Sequence, residues 1–263
     1  MPLQLAISEI LEPLRADPAR SAVLFDIDGT LAPIVRHASD AHIPEETRRQ
    51  LIAIAKRYGI VGCVSGRPAV VARQIVGIGS IAYVGNHGGE MLAPSAADVV
   101  VDRRVAAYTE RVRAFARAAD TPAAAQVRVR LEDKGPIFAF HWRGAPDEAA
   151  ALALIEKIEQ DAQAAGLATQ RGRKVLEVRP PVRIDKGRGI VQLIRRRHPV
   201  AGLYVGDDVT DIDAFRGLRE VVGEAAVCLA VSSEEAPPEL LRDADAVVDG
   251  PSGVREVLDD LLR

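Results

Sequence analysis

The chain has little of what stabilises small secreted domains or builds nucleic-acid surfaces. Only two cysteines, Cys63 and Cys228, occur in 263 residues. Both stand in apolar runs and read as buried, reduced thiols, which excludes a disulfide framework and a thiolate metal site. Aromatic residues make up 4% of the chain. Its arginine-rich stretches therefore lack a stacking face and read as a solvated or ligand-facing sheet, not as an RNA platform. No apolar run approaches the length of a membrane span, and no basic-then-apolar leader opens the chain. The formal net charge of −3 gives no electrostatic case for nucleic acid or an anionic membrane. Repeats and low-complexity tracts are absent. What remains is a cytoplasmic enzyme or binding protein, expected to act as a monomer and long enough for one large domain or two modest ones.

What is present is organised around residues 22–31, A-V-L-F-D-I-D-G-T-L. The apolar run predicts a strand buried on both faces, and Asp-Gly predicts a turn. Asp26 and Asp28 thus stand where a buried strand gives out, the place where open α/β sheets put ligand sites. Residues two apart in an extended chain face the same way. Both acids can then reach one small volume, where like charges resist ionising unless a cation or a shared proton intervenes. An ordinary Asp-Gly turn beside a solvated acid is the alternative at this stage.

The same rhythm continues on either side of a central insertion. A helix weakened by Pro13 is expected over residues 3–15. A polar loop with His37 and His42 follows the first strand, and a helix runs from Pro44 to Gly59. A strand at 60–64 delivers Ser65-Gly66-Arg67-Pro68 to the start of a helix, a pattern suited to an anion, although Ser65 also fits as a plain N-cap. A strand at 81–84 delivers a glycine-rich loop, 85–90, with His87 and room for close backbone approach. Asp185-Lys186-Gly187 precedes an apolar helix. A strand at 202–205 delivers Gly206-Asp207-Asp208-Val209-Thr210-Asp211. Strands at 226–231 and 246–248 and a helix at 252–262 complete the sheet.

Between residues 96 and 180 the rhythm changes. A long arginine-rich helix is expected over 98–119, then antiparallel strands at 126–132 and 136–142, a helix over 146–165, and strands at 167–171 and 174–179. The fold class is therefore α/β: a Rossmann-like parallel-sheet core, residues 1–95 and 181–263, carrying an inserted αββαββ (α+β) cap domain, residues 96–180.

Each core motif sits at a strand end or a helix start, which gathers Asp26, Asp28, Ser65, Lys186, Asp207, Asp208 and Asp211. So many acids call for a hard divalent cation such as Mg²⁺, and the lack of a His/Cys cluster argues against zinc. A lysine and a hydroxyl beside a helix N-terminus add a phosphate site. A carboxylate nucleophile there can form an aspartyl-phosphate, and a second acid two residues on can protonate the leaving oxygen and then activate water. A cation site without turnover is the alternative.

D-I-D-G-T-L, V-S-G-R, D-K-G and G-D-D-V-T-D, in this order with the insertion between the second and third, resemble the four signatures of the haloacid dehalogenase superfamily of phosphatases. Within it the chain resembles the trehalose-6-phosphate phosphatase family, on T-L-A-P-I-V (30–35), G-N-H-G-G-E (85–90), L-E-D-K (131–134), H-W-R (141–143), K-V-L-E-V-R-P (174–180) and G-D-D-V-T-D-I-D-A-F (206–215). The resemblance implies Asp26 as nucleophile and Asp28 as general acid/base. It implies Mg²⁺ on the Asp26 carboxylate, the Asp28 backbone carbonyl and Asp207, with Asp208 and Asp211 in support. Ser65 and Lys186 match phosphate binders, flanked by Gly66 and Arg67. His87, Glu132, Lys134, Lys174 and Glu177 match positions that meet the sugar. Surface ion pairs across neighbouring strands are the alternative for the four residues of the insertion. Two positions depart from the family pattern. Ile27 stands where an aromatic residue is usual, and Ile212 stands where Glu is usual, which removes an acid near the metal motif. The expected substrate is a small sugar phosphate, trehalose 6-phosphate first. Sucrose or glucosylglycerate phosphates, and a silent sugar-phosphate-binding regulatory domain, are the rivals.

Overall fold

The computed structural model describes residues 7–35, 40–233 and 236–263. Positions 3–6 of the expected first helix and His37 lie outside the described residues. Twelve strands are described: β1 Ser21–Phe25, β2 Ile60–Val64, β3 Ala82–Gly85, β4 Glu90–Leu92, β5 Val100–Val101, β6 Arg130–Asp133, β7 Phe138–His141, β8 Ala168–Gly172, β9 Val175–Arg179, β10 Ala201–Gly206, β11 Ala226–Ser232 and β12 Ala246–Asp249. The chain divides into two compact units, Met1–Val100 with Ile184–Arg263, and Val101–Arg183.

The first unit is built on a sheet of order β12-β11-β10-β1-β2-β3-β4-β5. From β12 to β3 every pairing is parallel. Strands β1, β2, β3 and β10 are buried along their whole length, because both faces of the sheet are covered. Alternate residues of β1 serve opposite faces. Val23 and Phe25 join a core with Leu51 and Ile54 of the helix Glu45–Arg57 and with Val254, Val257 and Leu258 of the helix Gly250–Leu262. Ala22 and Leu24 join the other, with Ile190 of the helix Lys186–Ile194 and Ala214, Phe215 and Leu218 of the helix Asp211–Val222. Ile27 and Ile212 are absorbed into these two cores. At β3 the sheet turns antiparallel through β4, a three-residue strand that the sequence reading leaves in a loop.

The second unit is an antiparallel sheet of order β6-β7-β9-β8. Phe138, Phe140, Leu176 and Val178 pack with Val112 and Ala116 of the helix Thr109–Ala119 and with Ala151, Ile155 and Ile158 of the helix Glu148–Ala164. Three expectations are corrected here. The helix expected over 98–119 is interrupted: valines 100 and 101 form β5, Asp102 accepts the Arg104 N–H at 2.8 Å as an N-cap, and Arg103–Ala106 and Thr109–Ala119 are separate helices. The strand expected from 126 begins at Arg130, because Thr121, Pro122 and three alanines make the helix Pro122–Gln126 first. Near the N-terminus, Pro13 falls in the first turn of a second short helix, Glu12–Ala16, which follows Ile7–Ile10. Among the described residues no helix is long and apolar enough to cross a membrane.

Candidate active site

The site of the first unit begins where β1 ends. Asp26 extends the ladder by one bond, its N–H donating to the Val205 carbonyl at 2.9 Å. The chain then folds back: the Ala32 N–H reaches the Ile27 carbonyl and the Gly29 N–H reaches the Ala32 carbonyl, both at 2.8 Å. Ile27 turns into the core. The backbone is thus not extended past Asp26, and the two acids meet different partners. Asp26 is buried against Lys186, whereas Asp28 pairs with Arg67.

Lys186 is the centre of the buried group. It is the first residue of its helix, and the Asp185 N-cap holds that turn by accepting the Arg188 N–H at 2.8 Å. Its Nζ donates to Asp26 Oδ1 at 2.9 Å and to Asp211 Oδ1 at 2.7 Å. Burial alone would push the Lys186 ammonium down, but Asp211 and Asp26 outweigh it and hold the group above the usual lysine range. Asp211 is fully hydrogen-bonded. Its Oδ1 also accepts from Tyr204 Oη at 2.6 Å, and its Oδ2 accepts the N–H groups of Asp207 and Asp208, each at 3.0 Å. Burial and the Asp211 charge push the Asp207 carboxyl up to about 6. Burial likewise raises Asp26 well above the carboxylate range, against the pull of Lys186 and with Asp211 and Asp207 adding to the rise.

Asp26, Asp207 and Asp211 each offer an oxygen within 4.8 Å of the others. Three carboxylates face a single ammonium, and Asp26 and Asp207 present oxygens within 4.8 Å of each other, where a shared proton would ease their repulsion. Such a pair is relieved by that proton or by a cation, so the donor set fits a divalent metal ion held by oxygen. Asp26 and Asp207 have oxygens to offer it; those of Asp211 are taken by its four donors. Thr30 Oγ1 steadies Asp207 with a bond to Oδ1 at 3.3 Å. Gly29, at φ +83°, lets Asp207 approach: a Cβ on Gly29 would lie 2.0 Å from Asp207 Oδ2. Among the described residues the acids grouped in this way do not include Asp28 or Asp208. Asp208 is exposed and its Oδ1 accepts the Val209 N–H at 2.6 Å.

Beside this group lies the loop after β2. Ser65 is buried, and its Oγ accepts the Arg67 N–H at 3.1 Å, which leaves the hydroxyl proton for another acceptor. The glycine-rich loop clamps this segment. The Asn86 N–H donates to the Arg67 carbonyl at 2.9 Å and the His87 N–H to the Ser65 carbonyl at 3.1 Å. Asn86 and His87 both adopt positive φ, 49° and 56°. The His87 ring lies against Gly66, 2.6 Å from where a Cβ would be. Glu90, on β4, accepts the Ala69 N–H at 2.7 Å and so caps the helix Ala69–Val76.

In the second unit, Glu132 and Glu177 sit opposite Ala139 on its two neighbouring strands, hence on one face of the sheet. Lys134 Nζ pairs with Glu177 Oε1 at 2.9 Å, and Glu132 pairs with His141 at 2.7 Å. Arg179, on the same face of β9, bonds to Gln170. Lys174 is not part of this group: it lies in the β8–β9 turn at φ 59° and pairs with Glu148 at 2.8 Å. Thr30 and His141 stood in the motifs T-L-A-P-I-V and H-W-R without a role assigned to them, and Tyr204 and the Arg67–Asp28 pair were not singled out from sequence. Tyr204 left a local signal, a hydroxyl inside the otherwise apolar run G-L-Y-V-G.

The trehalose-phosphatase family model matches residues 24–239. A trehalose-phosphate phosphatase of Mycobacterium marinum is 32% identical over 222 residues, 82% of this chain. The chain spans 55% of that relative's length, and between 15% and 61% of others it matches. The C-terminal domain of the Candida albicans trehalose-6-phosphate phosphatase is similar in structure, with a TM-score of 0.73 at 21% identity over 98% of this chain and 97% of that one. A haloacid dehalogenase-like hydrolase from Bacteroides thetaiotaomicron has a TM-score of 0.63 at 15% identity, over 91% of this chain and 98% of that one. At these identities the two structures show a shared fold.

Proposed function

The chain belongs to the trehalose-phosphatase family, and from that membership we propose that it is a Mg²⁺-dependent phosphatase that hydrolyses trehalose 6-phosphate to trehalose and phosphate. The observation that carries the reading is the buried Lys186 bonded to both Asp26 and Asp211, with Asp207 alongside. A cation site without chemistry has no need of a buried lysine among its acids. A nucleophilic carboxylate does, because the ammonium favours its charged form against burial and holds it in place.

In the reading proposed, Asp26 attacks phosphorus through a carboxylate oxygen and the bond from phosphorus to the sugar oxygen breaks. Asp28 gives its proton to that leaving oxygen. Asp28 then takes a proton from water as the water attacks phosphorus, the Asp26–phosphorus bond breaks, and phosphate leaves with Asp26 restored. Lys186 keeps Asp26 oriented. Ser65 presents its hydroxyl proton, and Gly66 its backbone, to the phosphate oxygens beside the start of the helix Ala69–Val76. Asp26, Asp207 and the Asp28 backbone carbonyl would hold Mg²⁺, which when bound would supply charge neutralisation for the phosphate. Asp211 positions Lys186 and the 207–208 backbone, and Asp208 supports that loop. His87 of the first unit is read as meeting the sugar, as are Glu132, Lys134 and Glu177 of the second; Lys174, paired with Glu148, is left out of that reading. The buried free cysteines, Cys63 and Cys228, accord with a cytoplasmic setting.

The test is phosphate release across a panel of sugar phosphates, with Mg²⁺ and with chelator. Trehalose 6-phosphate should be hydrolysed fastest and only with Mg²⁺. A preference for sucrose or glucosylglycerate phosphate would overturn the substrate while leaving the reaction class in place.

A further inference from the structure

Arg67 has a partner that its place in the V-S-G-R segment does not announce. Its Nε donates to Asp28 Oδ2 at 2.6 Å and its Nη2 to Asp28 Oδ1 at 2.7 Å. This is the two-point fork that only a guanidinium makes with a carboxylate. The arginine is itself anchored at both ends of its peptide unit, by Ser65 Oγ on its N–H and by the Asn86 N–H on its carbonyl. Among the described residues the Asp28 side chain bonds to Arg67 alone. The contrast with Asp211, held by four donors, is plain. Asp28 sits in a turn and not on a strand, and it is about one-third exposed, at 36%. Without Arg67 no side-chain hydrogen bond among the described residues would hold that carboxylate.

We propose that Arg67 serves Asp28 and not the phosphate: it is the positioning residue that fixes the orientation from which Asp28 exchanges protons with the leaving oxygen and with water. The fork occupies one lone-pair direction on each carboxylate oxygen and leaves the others open to a reacting oxygen. The proposal rests on the reading of Asp28 as general acid/base given above.

The test is a double-mutant cycle of Arg67→Met and Asp28→Asn, with Arg67→Lys as the conservative variant, on trehalose 6-phosphate and on p-nitrophenyl phosphate. With the sugar phosphate, kcat of Arg67→Met should fall about a hundredfold or more, the scale of a lost general acid/base. KM and the inhibition constant of inorganic phosphate should stay within about threefold, because ground-state binding is intact. The aryl phosphate should lose less, since nitrophenolate departs without a proton. Arg67→Lys should not restore the rate, because an ammonium cannot make the fork. In the Asp28→Asn background, Arg67→Met should cost almost nothing further. A large rise in KM and in the phosphate inhibition constant with kcat retained would overturn the proposal and make Arg67 a phosphate binder. Additive losses on both substrates, or equal losses accompanied by a fall in melting temperature, would make the pair structural and overturn it as well. If the wild type ignores trehalose 6-phosphate, the substrate reading fails, and the same cycle on the aryl phosphate still decides the role of Arg67.

Discussion

Gly29 shows how a single hydrogen in place of a methyl group sets the site. It turns the chain at φ +83° and lets Asp207 lie where a Cβ would be, 2.0 Å from Oδ2. Gly29→Ala should therefore cost about 1–2 kcal/mol of backbone strain and displace Asp207. Isothermal titration with Mg²⁺ should read weaker binding, and phosphate release should fall in step. Glu90 offers a different test at the same scale. Burial raises its carboxyl from the ordinary 4.5, against the Ala69 N–H and the Asn86 side chain, which both favour the charged form. The folded chain thus holds this proton more tightly than the unfolded chain does. The contribution of Glu90 to stability is fullest below the unfolded value and declines as pH rises through the folded one. Glu90→Gln keeps an acceptor for Ala69 and removes the titration, so the wild-type loss of melting temperature between mildly acidic and neutral pH should be smaller in the variant. An unchanged slope would show that Glu90 is not the group responsible. The pairing of Asp28 with Arg67 was hidden from sequence because it joins two loops 39 residues apart. Side-chain partners across loops leave no periodicity to read.

Among the elements, the strands ending at Asp26, Ser65 and Asp207 were legible because burial on both faces forces uninterrupted apolar runs. The element that escaped, β4, is three residues long and takes its order from β3, so it has no pattern of its own. The segment before β6 misled for a related reason: alternation in 126–132 was real, but a capped helix competed for its first residues. The helix that presents Lys186 was legible through its apolar run, and the Asp185 cap that the structure adds supplies a prediction at this scale. Asp185→Ala should lower stability by about 1 kcal/mol, read by denaturant or thermal unfolding, and slow turnover by loosening the first helical residue, whereas Asp185→Asn should keep the cap. Equal behaviour of the two variants would remove the cap from the account.

At the scale of the whole molecule, two units divide the work in the reading proposed here. The first carries the carboxylates and the lysine, and the second offers the polar sheet face with Lys134 and Glu177. Lys134→Met and Glu177→Gln should each lower kcat/KM for trehalose 6-phosphate by about tenfold or more, as expected when a sugar hydroxyl loses its partner, and leave p-nitrophenyl phosphate nearly untouched. Equal losses on both substrates would show that this face does not read the sugar. The grouping of Asp26, Asp207 and Asp211 around Lys186 was legible from sequence because strand-end acids are fixed by the fold. The set expected to meet the sugar was less so: Lys174, named with the others, pairs with Glu148 in a turn, and nothing in its local sequence distinguishes that position from one on the sheet. The claim that everything else depends on is that Asp26 performs the hydrolysis. Phosphate release from trehalose 6-phosphate in Mg²⁺ by the wild type and by Asp26→Asn tests it most directly. Release by the wild type, abolished in a folded Asp26→Asn, is the predicted result; release that survives the substitution would contradict it.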